Sequence, residues 1–266
     1  MMYIDNMSLQ QRIDRFLQRG FQQADAEILV LLEESASSLF SAFPNRFILF
    51  GGATLVLFYE SPRLSRDLDL LPSAEDLPPI EQVQQTVETN LQPFADALGL
   101  GTLECKSDGK DKDFLKLYVC SNQRPLFTID LTRIGGTVLK SEIVHHEIAG
   151  NANKIVDTPS ANYLLLQKCE TFLTRQNIKT RDAFDIDLLL QKGARLDQNL
   201  SAHLEDFIQM RELDSESIRS RIDKVHTKLC TVELRPVLPD FVFQTFAKED
   251  FRRLRESVAT VLAAWL

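Results

Sequence analysis

The sequence predicts an α+β fold: a mixed sheet with flanking helices, followed by a helical C-terminal domain. Short apolar runs separated by turn compositions dominate up to about residue 158, and apolar residues then recur at helical spacing. The hydrophobic fraction of 44% and the charged fraction of 26% are ordinary for a globular protein. We therefore expect two domains, residues 1–158 and 159–266.

Helices and strands alternate through the first domain. Residues 8–38 predict one or two helices with Ser8 as the N-cap. A short helix is expected at 53–60 and a longer one at 78–99, ending at Gly99. Strands are predicted at 46–50, 67–71, 103–107, 114–121, 126–133 and 142–149.

The second domain reads as helices throughout, at 160–175, 181–191, 199–210, 215–230 and 247–265. The aromatic residues Phe241, Phe243, Phe246 and Phe251 are expected in its core rather than in a stacking platform. A group of basic residues has two interpretations, an RNA-facing surface or a solvated helix face: Arg211, Arg219, Arg221, Lys224 and Lys228. Acidic residues interrupt this group, which favours the solvated face.

Composition limits the class of protein. The four cysteines are scattered, without C-x-x-C pairs or histidines at zinc spacing, so we expect reduced thiols in a cytoplasmic protein. The sequence predicts neither a signal peptide nor a membrane span. The net charge of −8 argues against non-specific nucleic-acid binding. Residues 1–158 contain 14 Lys and Arg against 22 Asp and Glu, so the acidic excess lies in the first domain.

The most informative stretch is GGATLVLFYESPRLSRDLDLL, residues 51–71. Asp67 and Asp69 alternate with core-facing leucines on a predicted strand, so both carboxylates point to one side. Two carboxylates this close repel each other unless a cation lies between them, and oxygen ligands suit Mg²⁺ or Mn²⁺. Gly51 and Gly52 would let the backbone approach a triphosphate at a helix N-terminus. An isolated D-x-D is more often a solvated or capping pair, but the strand–GG–helix–strand context favours a metal site.

This order of motifs resembles the DNA polymerase β-like nucleotidyltransferase superfamily, and specifically its AbiEii/AbiGii toxin branch, which includes the mycobacterial MenT toxins. The matching residues are Gly51, Gly52, Leu55, Arg63, Ser65, Asp67, Leu68 and Asp69. The departures are the order of Ala53 and Thr54 and a Leu at position 70, where Phe is usual. The resemblance implies a nucleotidyltransferase-type mixed sheet and transfer of a nucleoside monophosphate from an NTP.

The superfamily places a third carboxylate on a later strand. Asp130 lies between Ile129 and Leu131 on an apolar strand, where an unpaired carboxylate would be costly. The resemblance makes Asp130 the third metal ligand, nearest the nucleophile. The alternatives are a hydrogen-bonded strand-end residue or, as a weaker candidate ligand, Asp113.

A second signature of the branch is a helical Lys followed by R-D-x-x-D, here Lys168 and then Arg181, Asp182 and Asp185. Lys168 and Arg175 share a helix face by their spacing of seven, and the two aspartates by their spacing of three. The resemblance implies that Lys168 holds the NTP phosphates and that Arg181 and Asp182 also bind substrate. Asp182 or Asp185 would complete the site or orient Lys168. The C-terminal domain would thereby contribute to the NTP site. Alone, R-D-x-x-D is more often an exposed ion-pair face.

The resemblance also implies roles for the remaining residues. Asp67 and Asp69 would hold two Mg²⁺ or Mn²⁺ ions, one activating the attacking hydroxyl and one neutralising the pyrophosphate. Ser65 and the amides of Gly51 and Gly52 would contact the β- and γ-phosphates, whereas Arg63 would stabilise charge or pair with a carboxylate.

The implied biology is an RNA-modifying toxin, acting on tRNA or a similar acceptor, with a cognate antitoxin as partner. Two alternatives remain open. One is the same chemistry on a small molecule, such as an aminoglycoside, or on a protein hydroxyl. The other is a catalytically silent nucleotide-binding module.

Overall fold

The computed structural model describes residues 7–73, 77–108, 114–132, 140–148 and 151–266. The chain divides into two compact units. Unit 1 consists of Met1–Phe58 and Leu64–Pro159, and unit 2 consists of Tyr59–Arg63 and Ser160–Leu266. Arg63 therefore belongs with the C-terminal helices. No helix in the described ranges is both long enough and apolar enough to cross a membrane.

Unit 1 is a mixed α+β structure, which confirms the predicted fold class. Its elements are α1 (Leu9–Gln18), α2 (Gln23–Ala42), β1 (Phe47–Phe50), α3 (Gly51–Phe58), β2 (Asp67–Pro72), α4 (Ile80–Ala97), β3 (Leu103–Ser107), β4 (Phe114–Ser121), β5 (Arg124–Thr132), β6 (Ile143–Ile148) and β7 (Asn151–Pro159). Five strands form a sheet in the order β1-β2-β5-β4-β3. The β2–β5 pair is parallel and the other three pairs are antiparallel. β6 and β7 form a separate antiparallel pair.

The sheet buries one side against helices and leaves the other for polar groups. Its core side carries Leu68, Leu70, Leu117, Val119, Ile129 and Leu131, all at most 4% exposed. These residues belong to one apolar cluster with α2 and α4, for example with Leu32 and Val87. Because side chains alternate along a strand, the residues between them lie on the opposite side. This alternation directs the candidate site residues away from the core.

Helix α2 is buried on nearly all sides, although its sequence reads as amphipathic. Ser8 caps α1 in a capping box with Gln11, as its position predicts. The buried acids of α2, Glu33 and Glu34, are paired with Arg12, whose nitrogens lie 3.0 and 3.1 Å from the carboxylates. The ion pairs let α1 cover a face of α2 that carries charge.

Unit 2 consists of α5 (Ala161–Thr174), α6 (Thr180–Gln191), α7 (Gln198–Met210), α8 (Ser215–Asp223), α9 (Thr227–Leu234), α10 (Asp240–Ala247) and α11 (Arg252–Val261). The helix predicted over 215–230 is in fact two helices, because His226 caps α9 by accepting a hydrogen bond from the Leu229 amide. The helix predicted over 247–265 starts only at Arg252, since Phe251 has a left-handed backbone (φ 53°).

The four late aromatic residues do not all lie in the core. Phe243, Phe246 and Phe251 are buried, at most 7% exposed. Phe241 is 63% exposed. It lies near the start of α10, a helix that the sequence reading did not predict. The expectation of four core residues is therefore wrong for Phe241.

Candidate functional site

The structure brings Asp67, Asp69 and Asp130 to one side of the sheet. In the parallel pairing of β2 with β5, Asp69 is the register partner of Asp130, and Asp67 is the partner of Thr128. Paired residues on neighbouring strands point to the same side. Asp67 and Asp69 are partly exposed, whereas Asp130 is 8% exposed. Asp113, the alternative third ligand, lies outside the described residues.

Asp130 has one paired and one unpaired carboxylate oxygen. Its Oδ2 lies 3.0 Å from Nζ of Lys116, which is its register partner on β4. Its Oδ1 is buried and has no hydrogen-bond partner among the described residues. Burial raises the pKa of Asp130 above its ordinary value, although the Lys116 hydrogen bond opposes this shift. The buried Oδ1 is thus an acceptor with unsatisfied capacity.

Lys116 is a site residue that the sequence reading missed. Burial favours its neutral amine, but the hydrogen bond to Asp130 and the charge of that carboxylate outweigh burial and raise the pKa of Lys116. Lys116 lies on β4 beside Leu117, and the core residues Leu117 and Val119 point to the opposite side of the sheet. This period-two alternation is the sequence signal that could have placed Lys116 on the same side as the carboxylates. Between β5 and β2, Thr128 Oγ1 donates a hydrogen bond of 2.9 Å to Asp67 Oδ1.

Position 51 requires glycine because its backbone lies close to the Asp69 carboxylate. It follows β1 and begins α3 with a φ of +76°, a conformation that favours glycine. A Cβ atom on Gly51 would lie 2.1 Å from Oδ2 of Asp69. Gly52, next in the helix, is buried. The Gly51 backbone therefore forms a wall of the space that the Asp69 carboxylate occupies.

We expect Gly51→Ala to lower the activity of this site by about a hundredfold, because a displacement of a reacting group by about 1 Å has an effect of that size. Gly99→Ala is the matched control, since Gly99 also has positive φ (+69°) but its Cβ would meet nothing within 4 Å. Both variants place alanine at positive φ, which costs on the order of 1–2 kcal/mol, and Gly51→Ala additionally displaces the Asp69 carboxylate. Catalytic rates and chemical denaturation measured on both variants separate the two effects. Equal losses of activity would contradict the role given to Gly51.

The three carboxylates suit a hard divalent cation. Mg²⁺ is usually held by one or two carboxylates together with waters and substrate phosphates, rather than by a closed protein cage. Asp67 and Asp69 supply that number, and the unpartnered Oδ1 of Asp130 is a third oxygen donor. Across the described ranges, no group of three or more His, Cys, Asp or Glu side chains is arranged to hold a metal ion by itself. The donor set therefore fits a Mg²⁺ or Mn²⁺ ion that shares its coordination with substrate.

A second charged cluster lies within unit 2, around Asp185 on α6. Arg63 holds this carboxylate with two hydrogen bonds, Nε to Oδ1 at 2.8 Å and Nη2 to Oδ2 at 2.9 Å. Lys168 Nζ lies 2.7 Å from Oδ2 of the same residue. Asp185 is fully buried, and burial alone would raise its pKa. The charges of Arg63 and Lys168 outweigh this and lower the pKa of Asp185.

Asp182 joins the same cluster one turn earlier. Its Oδ1 lies 3.7 Å from Lys168 Nζ, and its Oδ2 lies 2.8 Å from Arg175 Nε. Neither Asp182 oxygen has an aligned hydrogen bond among the described residues, so charge rather than hydrogen-bond geometry holds these contacts. The spacings of three and seven read from the sequence do place these side chains together.

Two predicted substrate-binding residues lie outside the Asp185 cluster. Arg181 is exposed on α6 and makes none of the ion pairs of the Asp185 cluster. Ser65 belongs to unit 1, where it is 8% exposed in the loop before β2. Arg63, also predicted to contact substrate, instead has its guanidinium buried against Asp185. This is the carboxylate-pairing alternative that the sequence left open.

Comparison with known proteins identifies the fold and the family. JHP933 from Helicobacter pylori shares the fold (TM-score 0.54, 13% identity, 92% of this chain and 94% of that chain). So does a provisionally designated nucleotidyltransferase from H. pylori (TM-score 0.52, 13% identity, 97% of each chain). MenT4, a nucleotidyltransferase toxin from Mycobacterium tuberculosis H37Rv, aligns with a TM-score of 0.49 at 15% identity, over 96% of this chain and 99% of that chain.

Sequence comparison gives the decisive match. No curated protein matches this sequence significantly. The profile of the family described as "Nucleotidyl transferase AbiEii toxin, Type IV TA system" matches residues 36–264, which is most of the chain. The predicted recognition of this branch is confirmed by that match. The chain belongs to the AbiEii family of nucleotidyl transferase toxins.

Proposed function

We propose that this protein transfers a nucleoside monophosphate from an NTP to a hydroxyl of an RNA acceptor, tRNA in the first instance, and that the transfer requires Mg²⁺ or Mn²⁺. The observation that carries the proposal is the register of β2 with β5, which aligns Asp67, Asp69 and Asp130 on one side of the sheet. The backbone of Gly51 lies directly against Asp69. Carboxylates so arranged supply hard oxygen ligands next to a backbone segment that leaves room for phosphate.

Each residue of the proposed site has a separate task. Asp67 and Asp69 bind the divalent cation, and Thr128 fixes the orientation of Asp67 through its hydrogen bond. Asp130 presents its unpartnered Oδ1 while Lys116 holds its Oδ2. The cation, when bound, polarises the α-phosphate and lowers the pKa of the attacking hydroxyl. The amides of Gly51 and Gly52 and the Ser65 hydroxyl contact the outer phosphates.

The Asp185 cluster is proposed as a phosphate-binding group. Arg63, Lys168 and Arg175 carry three positive charges against the two negative charges of Asp182 and Asp185. The side chains of Lys168 and Arg175 are 13% and 36% exposed, so this excess positive charge reaches solvent. Lys168 is the phosphate ligand, and Asp182 and Asp185 hold its ammonium in position.

The biological setting follows from the family. A type IV toxin acts against a cellular target and is opposed by an antitoxin, and the family description supports both for this chain. We place the reaction in the cytoplasm, where tRNA is available. The four free and buried cysteines support this location, since such thiols are usual in a reducing compartment.

The test is transfer of label from α-labelled NTPs. The purified protein is incubated with each common NTP, with Mg²⁺ or Mn²⁺ and with total tRNA, and parallel reactions contain an aminoglycoside or only the protein itself. We expect label in the RNA, abolished by EDTA. Label appearing only on the small molecule or on protein would overturn the RNA acceptor and retain the chemistry. If no acceptor is labelled and NTP binding does not depend on metal, the proposed reaction is wrong.

A further inference from the structure

Unit 2 contains an open cavity whose lining includes neither the three carboxylates of the sheet nor the residues of the Asp185 cluster. It has a volume of about 560 Å³ and lies where the link between α8 and α9 faces the segment after α5. Arg221, Lys224 and His226 line it, and no Asp or Glu is among its described lining residues. We call it the α8 cavity. A cavity whose described lining contains cations and no acid points to an anionic ligand.

Arg221 is a fixed cation at the α8 cavity. Its guanidinium donates hydrogen bonds to the carbonyl oxygens of Phe172 and Arg175 at 3.0 to 3.1 Å, which end helix α5. No carboxylate pairs with it among the described residues. Partial burial lowers the pKa of Arg221, although a guanidinium remains charged. The side chain is thus held rigidly, and its charge is not neutralised by an acid.

Two further donors converge on the same space. His226 Nδ1 accepts a hydrogen bond from the Leu229 amide at 3.3 Å, so in the neutral ring the proton is on Nε2, which is a donor. Lys224 is exposed, and its side chain makes no hydrogen bond or ion pair within the described part of the chain. Together with Arg221 these side chains provide three N–H donor groups, which suit the three acceptor oxygens of a phosphate.

The remaining walls favour a ligand with an apolar portion beside its charged group. Ile178, Leu213 and Leu229 form the apolar part of the lining, and the volume lies within the range of small-molecule sites. An adjacent cavity of about 710 Å³ shares Ser220, Lys224 and His226 and continues along α8, where its lining includes Glu216 and Asp223. We propose that the α8 cavity binds a nucleoside phosphate, with its phosphate on the three donors and its base on the apolar wall. This site is separate from the carboxylate residues and does not rest on the proposed transfer reaction.

The ligand has two sources with the same chemistry, a free nucleotide and a nucleotide within a single RNA strand. The probes are therefore 5′-AMP and a short oligoadenylate, titrated calorimetrically into the full-length protein in EDTA. Lys224→Glu should weaken binding of at least one probe about tenfold or more, the equivalent of one charged hydrogen bond. His226→Asn should weaken it about fivefold, because Asn preserves the N-cap and removes the Nε2 donor.

Lys228→Glu is the matched control, because Lys228 is exposed on α9, has no ion-pair partner among described residues and does not line the cavity. It should change affinity by less than about twofold, the effect of a screened surface charge. Asp69→Ala should leave binding in EDTA unchanged, which separates this site from the carboxylates. Tighter binding of the oligoadenylate identifies an RNA strand as the ligand, and equal binding identifies a free nucleotide.

Three results would overturn the proposal. They are the absence of millimolar or tighter binding of either probe, equal effects of Lys224→Glu and Lys228→Glu, and binding that only Asp69→Ala abolishes. Failure of nucleotidyl transfer with the α8 cavity still binding its probe would count against the proposed reaction alone.

Discussion

Asp69→Asn should reduce the rate of nucleotidyl transfer by about a thousandfold, because a bound divalent cation contributes several kcal/mol of transition-state stabilisation and this variant removes a charged ligand. The amide has nearly the same size as the carboxylate, so the side chain still fits beside Gly51. The measurement is the initial rate at saturating NTP and Mn²⁺, with Mn²⁺ affinity determined by titration in parallel. Affinity for Mn²⁺ should fall with the rate.

Stability distinguishes this prediction from a loss of fold. Asp69 faces Asp130 and lies two residues from Asp67, so neutralising it relieves like-charge repulsion, and the free energy of unfolding should change much less than the activation free energy. Asp108→Asn is the matched control, because it makes the same chemical change at an exposed position of unit 1. It should leave both rate and stability unchanged. A rate within about tenfold of wild type in Asp69→Asn, smaller than the effect of losing a single transition-state donor, would remove Asp69 from the metal site.

The sequence predicts the central strand–helix–strand part of unit 1 well, because each element there has a strong local signal. β1 and β2 are short apolar or alternating runs, and Gly51 marks the turn between β1 and α3. The alternation in β2 correctly directs Asp67 and Asp69 away from Leu68 and Leu70. These features depend on neighbours in sequence, which one chain suffices to read.

Elements with weak local patterns were missed. β7 has the sequence NANKIVDTP, in which polar residues and a terminal proline hide the strand, and its pairing with β6 is what stabilises it. The division between α8 and α9 was missed because apolar residues continue at helical spacing through Val225, while the stop is made by the histidine cap at 226. Helix α10 is short, and tertiary packing of Phe243 and Phe246 defines it.

Contacts between distant segments could not be read from one sequence. Asp69 lies opposite Asp130 only because of the strand order and the register of the parallel β2–β5 pair. Local periodicity determines neither of these. The same is true of Lys116, whose charge is significant only because β4 lies beside β5. The pairing of Arg63 with Asp185 spans 122 residues along the chain. Family resemblance grouped Arg63 and Asp185 as functional without indicating that Arg63 is bound to the carboxylate of α6.

Arg63→Met should destabilise unit 2 by about 3 kcal/mol, the lower end of the cost of breaking a buried ion pair, because part of the Asp185 charge stays compensated. Arg63 is 4% exposed and Asp185 is fully buried, and methionine replaces the length of the arginine stem without its two hydrogen bonds. Lys168 then remains as the charge partner of Asp185 in this cluster. Chemical denaturation monitored by circular dichroism measures the loss. Arg63→Lys should be intermediate, because it restores the charge and not the bidentate geometry.

Lys192→Met is the control for this prediction, since it breaks an ion pair with Glu60 in which the two side chains are 35% and 76% exposed. Such a pair contributes at most about 1 kcal/mol.

The pH dependence of stability gives an independent check. Because the pKa of Asp185 is lowered in the folded protein, its ionised form stabilises the fold above the ordinary aspartate pKa, and this contribution is lost as pH falls through the lowered value. Arg63→Met weakens the lowering, so acid unfolding should begin at a higher pH. If Arg63→Met instead matches Lys192→Met in stability and in acid midpoint, then the Arg63–Asp185 pair does not stabilise unit 2, and a role in substrate binding becomes the better account of Arg63.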